Sequence, residues 1–159
     1  MAKSSQKGFS IAEILVVMGL AATIIAIGAP ALIREMSHLR LKRSVMDVST
    51  ELNAARMKAI ANNTKYRVEF TLNAAPTPDT FKLAYYDTGT STWVPDPKHA
   101  TKGVEPGIDI TSPNADFQVE FYPTGTGTNK DICLQNTATD RMKVSVEFAV
   151  GKITVDTGC

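Results

Sequence analysis

A chain of 159 residues with a net charge of +1 has room for one modest domain once any targeting segment is set aside. Its near-neutral balance excludes a basic nucleic-acid footprint spread over the whole surface and leaves only local patches. Two cysteines, Cys133 and Cys159, and two histidines far apart in sequence, His38 and His99, argue against a zinc site. Pairing of the two thiols would require an oxidising compartment, and closing a loop of that size is worth about 3 kcal/mol.

In chain order, a short basic leader (residues 1–7) and Gly8 precede a run from 9 to 33 in which Glu13 is the one ionisable side chain. A helix of that composition crosses a hydrocarbon core of roughly 30 Å, so the run is read as a membrane-inserted helix. An ordinary secretory signal carries a small-residue cleavage site after an apolar stretch of about 7 to 15 residues. Here the run is longer, and Ala29-Pro30-Ala31 is a poor substitute for that site. A carboxylate in lipid costs several kcal/mol unless something pairs with it, so Glu13 is expected to have a partner. The same cost disfavours a plain single-pass anchor with an incidental acid.

The order Gly8-Phe9-Ser10-x-x-Glu13 ahead of an apolar helix resembles the class III leader of type IV pilins and type II secretion pseudopilins. That resemblance implies cutting by a prepilin peptidase between Gly8 and Phe9, and N-methylation of Phe9. Glu13 then becomes the fifth residue of the mature chain. The physics is compatible, because an ammonium at Phe9 of one subunit would neutralise Glu13 of its neighbour and take two charges out of lipid together. The implied partners are other pilin or pseudopilin subunits, the peptidase, an inner-membrane assembly platform and membrane lipid, with no cofactor. Orientation carries a conflict. Lys3 and Lys7 precede the span while Arg34, Arg40, Lys42 and Arg43 follow it, which by the positive-inside rule would place the C-terminal part in the cytoplasm. The pilin-like leader and a disulfide favour the outside of a bacterial inner membrane, and that placement is adopted.

Helical periodicity continues past the membrane run. Leu41, Val45, Val48, Leu52, Ala55 and Ala59 recur at spacings of four and three and predict one apolar stripe. Lys42, Arg43, Asp47, Glu51, Arg56 and Lys58 are left for the wetter faces. With Asn62-Asn63 as the stop, a helix over 9–62 would be about 80 Å long. Pro30 lies within it and removes a backbone hydrogen bond, which predicts a bend or local melting near 25–29. In pilins, a proline matching Pro30 marks a segment that unwinds in the filament.

From residue 65 the period becomes twofold. Tyr66, Val68, Phe70 and Leu72 alternate with polar residues, the mark of a strand with one face buried. Strands are also predicted at 81–86, 93–94, 108–110, 117–121, 132–134, 144–148 and 153–155, the last two closed by the turn Val150-Gly151-Lys152. Residues 95–107, rich in Pro, Gly and Lys, read as an exposed loop, and 123–131 as a flexible one. A meander of hairpins, forming an antiparallel sheet wrapped on the helix stripe, satisfies these patterns. The fold class is α+β. Its segments are a leader at 1–8, a membrane half-helix at 9–33, an amphipathic half-helix at 34–63 and a sheet domain at 64–159.

The helix end ELNAARMKAIANN, with FQVEFYPTGTGTNKDICLQN and VSVEFAVGKITV, is similar to the globular part of pseudopilin H and FimT-like minor pilins. Some of those proteins bind DNA through a C-terminal Gly-Arg-x-Arg stretch. The matching place here reads Gly151-Lys152-Ile153-Thr154, with one basic residue kept as lysine and the other missing. Lys152, Lys143, Arg141 and Lys130 are the candidate phosphate contacts. So few charges bind weakly, and a solvated hairpin face is the favoured reading. A minor pilin or pseudopilin is the function expected. A DNA-uptake minor pilin and a membrane-tethered module that never polymerises are the alternatives.

Catalysis finds no support. No Ser/His/Asp set stands at recognisable spacing, and TGTGT lies between predicted strands, where glycines serve turns. His38 and His99 are read as polar surface residues, and Trp93, Tyr85 and Tyr86 as core or sheet-face packing. The loops at Asp87 and Asp131 lack the clustered oxygens that calcium needs.

Overall fold

The structure, a computed structural model, describes residues 10–159, with the side chains of 27–34 outside the description. Gly8 and Phe9 therefore lie outside it. The chain divides into two compact units, Met1–Met36 and Ser37–Cys159. A single helix, α1 (Ile11–Ala61), contributes to both. Helical hydrogen bonding is continuous through residues 25–29 and through Pro30, so the local melting expected there is absent. One missing N–H removes one bond, and the rest of the ladder remains.

In the second unit the predicted stripe is realised in full. Leu41, Val45, Val48, Leu52, Ala55 and Ala59 are completely buried. They join one core with Val68, Phe70, Leu83, Val119 and Phe121 on one side and Ile108, Ile132, Leu134, Val144 and Val146 on the other. Burying a Leu, Val or Phe side chain contributes about 1.5–3 kcal/mol, so this cluster holds the unit together.

The strands are β1 (Tyr66–Thr71), β2 (Thr80–Asp87), β3 (Thr92–Pro95), β4 (Lys102–Gly103), β5 (Ile108–Ser112), β6 (Phe117–Phe121), β7 (Lys130–Asn136), β8 (Arg141–Val146) and β9 (Ile153–Thr157). They form two antiparallel sheets where the sequence predicted one. The first has the order β3-β2-β1-β6 with β4 beside β2, and the second the order β5-β7-β8-β9. A pure meander is broken because β6 returns beside β1, Val119 opposite Val68 and Phe121 opposite Tyr66. That return stacks Phe117 on Phe70, centroids 4.5 Å apart, a contact no neighbouring hairpin supplies. The strand alternation itself is as predicted: Tyr66, Val68 and Phe70 are buried and Arg67 and Glu69 are not.

Residues 95–107 are largely exposed, as expected, yet Asp96 and Val104 within them are buried, and the segment is strapped along α1. Three further expectations are corrected. Glu51, assigned to a wet face, is 1% exposed, and its carboxylate accepts from Lys102 Nζ at 2.7 Å and from His99 Nδ1 at 3.0 Å. His99 is accordingly a half-buried partner of the helix and not a surface residue. The 123–131 loop is tied down as well. Arg56 Nε donates to Gly125 O at 3.1 Å, and Gly151 crosses so close that a Cβ on it would stand 2.1 Å from that oxygen, at a φ of 57° that itself favours glycine.

Cys133, on β7, and Cys159 are disulfide-bonded with Cα atoms 6.0 Å apart, as the sequence allowed. Two predictions follow from this packing. Glu51→Ala strands Lys102 and His99 and should cost about 2–3 kcal/mol in urea unfolding, below the roughly 3–5 kcal/mol of a fully buried broken pair because Lys102 reaches water. Cys133→Ser with Cys159→Ser should cost about 3 kcal/mol by the same measurement, leaving the near-ultraviolet signature of the core in place.

Candidate functional site

The candidate sites among the described residues are surfaces. Glu13 stands in the first turn of α1, where a carboxylate is favoured by the helix dipole, and its backbone N–H is held by Ser10 O at 3.0 Å. Glu13, Ile14, Val17 and Met18 line a shallow apolar cleft of about 240 Å³ on one face of the helix. Apolar exposure runs all round this part of α1, with Ile11, Leu15, Val16, Leu20, Ile24 and Ile25 each at least 60% exposed. Water does not stabilise such a helix; its surface needs lipid or other helices. Among the described residues no helix is long and apolar enough to cross a membrane. The expected span of 9–33 takes in Phe9 and the side chains of 27–33, which lie outside the description.

On the second half of α1, the face away from the core carries another row that the sequence reading missed. Leu39, Met46, Met57 and Ile60 are each at least 50% exposed. With Arg43, Thr50 and Asn53 between them they follow one another at alternating spacings of four and three, the period of a seam between two helices. The signal was present in the sequence but weaker than the buried stripe, because three of its seven positions are polar.

The candidate phosphate contacts are dispersed. Arg141 and Lys143 share the outer face of β8; Arg141 Nε donates to Gln135 Oε1 at 3.0 Å, and Lys143 lies across from Asp156. Lys152 stands in the turn beyond, with its carbonyl accepting from Glu147 N at 2.9 Å. Lys130 is directed to Phe117, 5.8 Å from the ring centre. His38 is a surface residue, 3.8 Å from Asp140. Among the described residues, no group of three or more His, Cys, Asp or Glu side chains is placed to hold a metal.

The strap over α1 is the other feature that sequence did not reveal. Lys58 Nζ donates to Asp96 Oδ2, His99 and Lys102 hold Glu51, and Ser44 Oγ accepts from Glu105 N at 2.9 Å. Burial pushes the Asp96 carboxyl up, but its bonds from Lys58 and from the Lys98 N–H outweigh this and hold it below the usual carboxylate range. On β1, burial likewise raises Glu69, and hydrogen bonds from Lys82 and Arg67 bring it net below its ordinary value.

A long helix whose second half lies under antiparallel sheets is the pseudopilin fold. In particular the chain is similar to the minor pseudopilin EpsH from the type 2 secretion system of Vibrio cholerae, in two solved structures. The first aligns with a TM-score of 0.56 at 11% identity, over 74% of this chain and 97% of that one. The second aligns with a TM-score of 0.56 at 10% identity, over 76% and 96%. No protein-family profile matches the sequence, and no curated protein does.

Asp96 and Glu69 make the fold acid-sensitive in a defined direction. Their folded-state values are depressed, so their stabilisation is complete at neutral pH and drains away as pH falls through the carboxylate range toward those values. Urea midpoints measured between about pH 5 and pH 3 should fall steeply in the parent. Asp96→Asn with Glu69→Gln should lower the midpoint at neutral pH and flatten that slope.

Proposed function

We propose that this chain is a minor pseudopilin or minor pilin, a structural subunit of a type II secretion pseudopilus or of a type IV pilus and not an enzyme. One observation carries the reading. A chain with the pseudopilin fold, alignable over nearly the whole of the solved EpsH chain, also carries Gly8-Phe9 ahead of an apolar run whose one acid is Glu13. A prepilin peptidase cuts after Gly8, Phe9 is N-methylated, and the helix of 9–33 holds the subunit in the inner membrane. Its globular unit stands outside the cytoplasm, an orientation supported by the Cys133–Cys159 bond, since disulfides persist in oxidising compartments. Glu13 pairs with the new ammonium of an adjacent subunit, and helix packing provides the rest of the assembly. Leu39, Met46, Met57 and Ile60 supply the contact above the membrane. The scattered arrangement of Arg141, Lys143, Lys152 and Lys130 gives DNA uptake no comparable support.

Sheared filaments and the membrane fraction, analysed together by peptide mass spectrometry, test this. The expected result is a peptide beginning at methylated Phe9, present in trace amount beside the most abundant pilin or pseudopilin. Glu13→Ala should still be processed, yet should be depleted from the assembled fraction by at least about tenfold, as the loss of a paired charge in lipid requires. Finding residues 1–8 still attached in the membrane overturns the reading.

A further inference from the structure

The face of the first sheet turned away from α1 is neither apolar nor a plain solvated surface. Strand register lays its side chains out in rows. Tyr86 pairs with Trp93, and the Tyr86 N–H donates to Lys65 O. Lys65 Nζ lies 5.8 Å from the Tyr86 ring centre and 5.5 Å from that of Tyr122. The next row is Glu120, Arg67, Ala84 and Pro95, and the one after it Gln118, Glu69 and Lys82. Trp93 meets Tyr86 edge-on at 5.4 Å, and the Arg67 guanidinium lies over Trp93 at 4.3 Å while also pairing with Glu69. Beside this array, Arg67, Glu69, Thr71, Asp116, Phe117 and Gln118 line an open cleft of about 390 Å³, within the size range of small-ligand sites.

Core packing does not require this arrangement. Of the chain's five Tyr and Trp residues, Tyr86, Trp93 and Tyr122 stand here, while Tyr66 and Tyr85 pack with the core. Charge narrows the ligand. Lys65, Arg67 and Lys82, with Lys130 at the Phe117 end of the cleft, stand against Glu69, Glu120 and Asp116, so a polyanion finds a net of one positive charge and only a weak field. An apolar protein partner would have to desolvate those same seven charges. A neutral ligand with a flat apolar side and a hydroxyl-bearing rim meets both demands, resting on aromatic faces while guanidinium, carboxylate and amide groups take its hydroxyls.

We propose that the outer face of the first sheet, from Trp93 and Tyr86 to the cleft at Arg67, Asp116 and Gln118, is a binding site for a neutral glycan. Trp93 and Tyr86, both half-buried, with Arg67 over one face of Trp93 and Lys65 beside the Tyr86 ring, offer their remaining ring surface for stacking. Arg67, Asp116 and Gln118 are the hydroxyl contacts, with Glu69 as the positioning residue that fixes the Arg67 guanidinium. This site is independent of the assembly face on α1, so neither reading depends on the other.

Trp93 is the chain's one tryptophan and reports on the site directly. The full chain, held in a zwitterionic detergent without a sugar headgroup, is titrated with maltotriose, cellotriose and chitotriose while Trp93 emission is followed. A saturable change with at least one of the three is expected. Gln118→Ala, at an exposed position, should weaken it about fivefold and Arg67→Lys about tenfold, on the scale of one lost hydrogen bond. Circular dichroism and the urea midpoint establish that each variant is folded. A response to none of the glycans overturns the proposal, as does a response confined to a single-stranded oligothymidylate probe. A glycan response unchanged in both variants places the binding elsewhere and overturns it equally.

Discussion

Burial of one stripe of α1, Leu41 through Ala59, is the constraint on which the second unit depends. The six side chains are small or aliphatic and completely covered, so the helix supplies a smooth strip that two sheets can share. Loss of that strip would leave each sheet with one bare apolar face and no other element to cover it. Two candidate surfaces of that unit are placed by difference from it. The seam at Leu39, Met46, Met57 and Ile60 is the side of the same helix that the sheets do not reach. The aromatic rows lie on the side of the first sheet that the helix does not reach.

Much of this was legible in the sequence, and the reason is period. A spacing of four and three gave the stripe residue by residue, and alternation gave β1 and β6 within a residue or so of their ends. Pairing order was not legible, because alternation says which face a residue takes and not which strand lies beside it. Hence two sheets stood where one was expected, with β6 returned to β1. The strap was missed for a different reason. Its composition of Pro, Gly and Lys is that of an exposed loop, and what ties it to the helix is ion pairing with Glu51 and Lys58, contacts about fifty and forty residues away in the chain. The disulfide was open to the sequence because only one intramolecular pairing of two cysteines exists.

For the candidate site the balance is different. Glu13 and the run around it announce themselves, since an acid in an otherwise apolar stretch has a cost that composition alone displays. The exposed methionines and the outer aromatic rows carry no comparable signal. Met46 and Met57 read as ordinary helix formers, and Trp93, Tyr85 and Tyr86 read alike until register assigns Tyr85 to the core and the other two to the outside. A surface that works by what it leaves uncovered becomes visible only once the covering is known.

The strap also bears on how the molecule handles force. Ser44, Glu51 and Lys58 are seven residues apart in succession, two helical turns or about 10 Å between neighbours. They are met in reverse order by Glu105, by Lys102 with His99, and by Asp96. The segment thus runs antiparallel to the helix and is riveted to it at three levels. A slide of α1 by a single turn, about 5.4 Å, would break all three rivets at once. Axial load on the helix is consequently shared among them in shear, where peeling would break them one at a time, and the sheets travel with the helix as one piece.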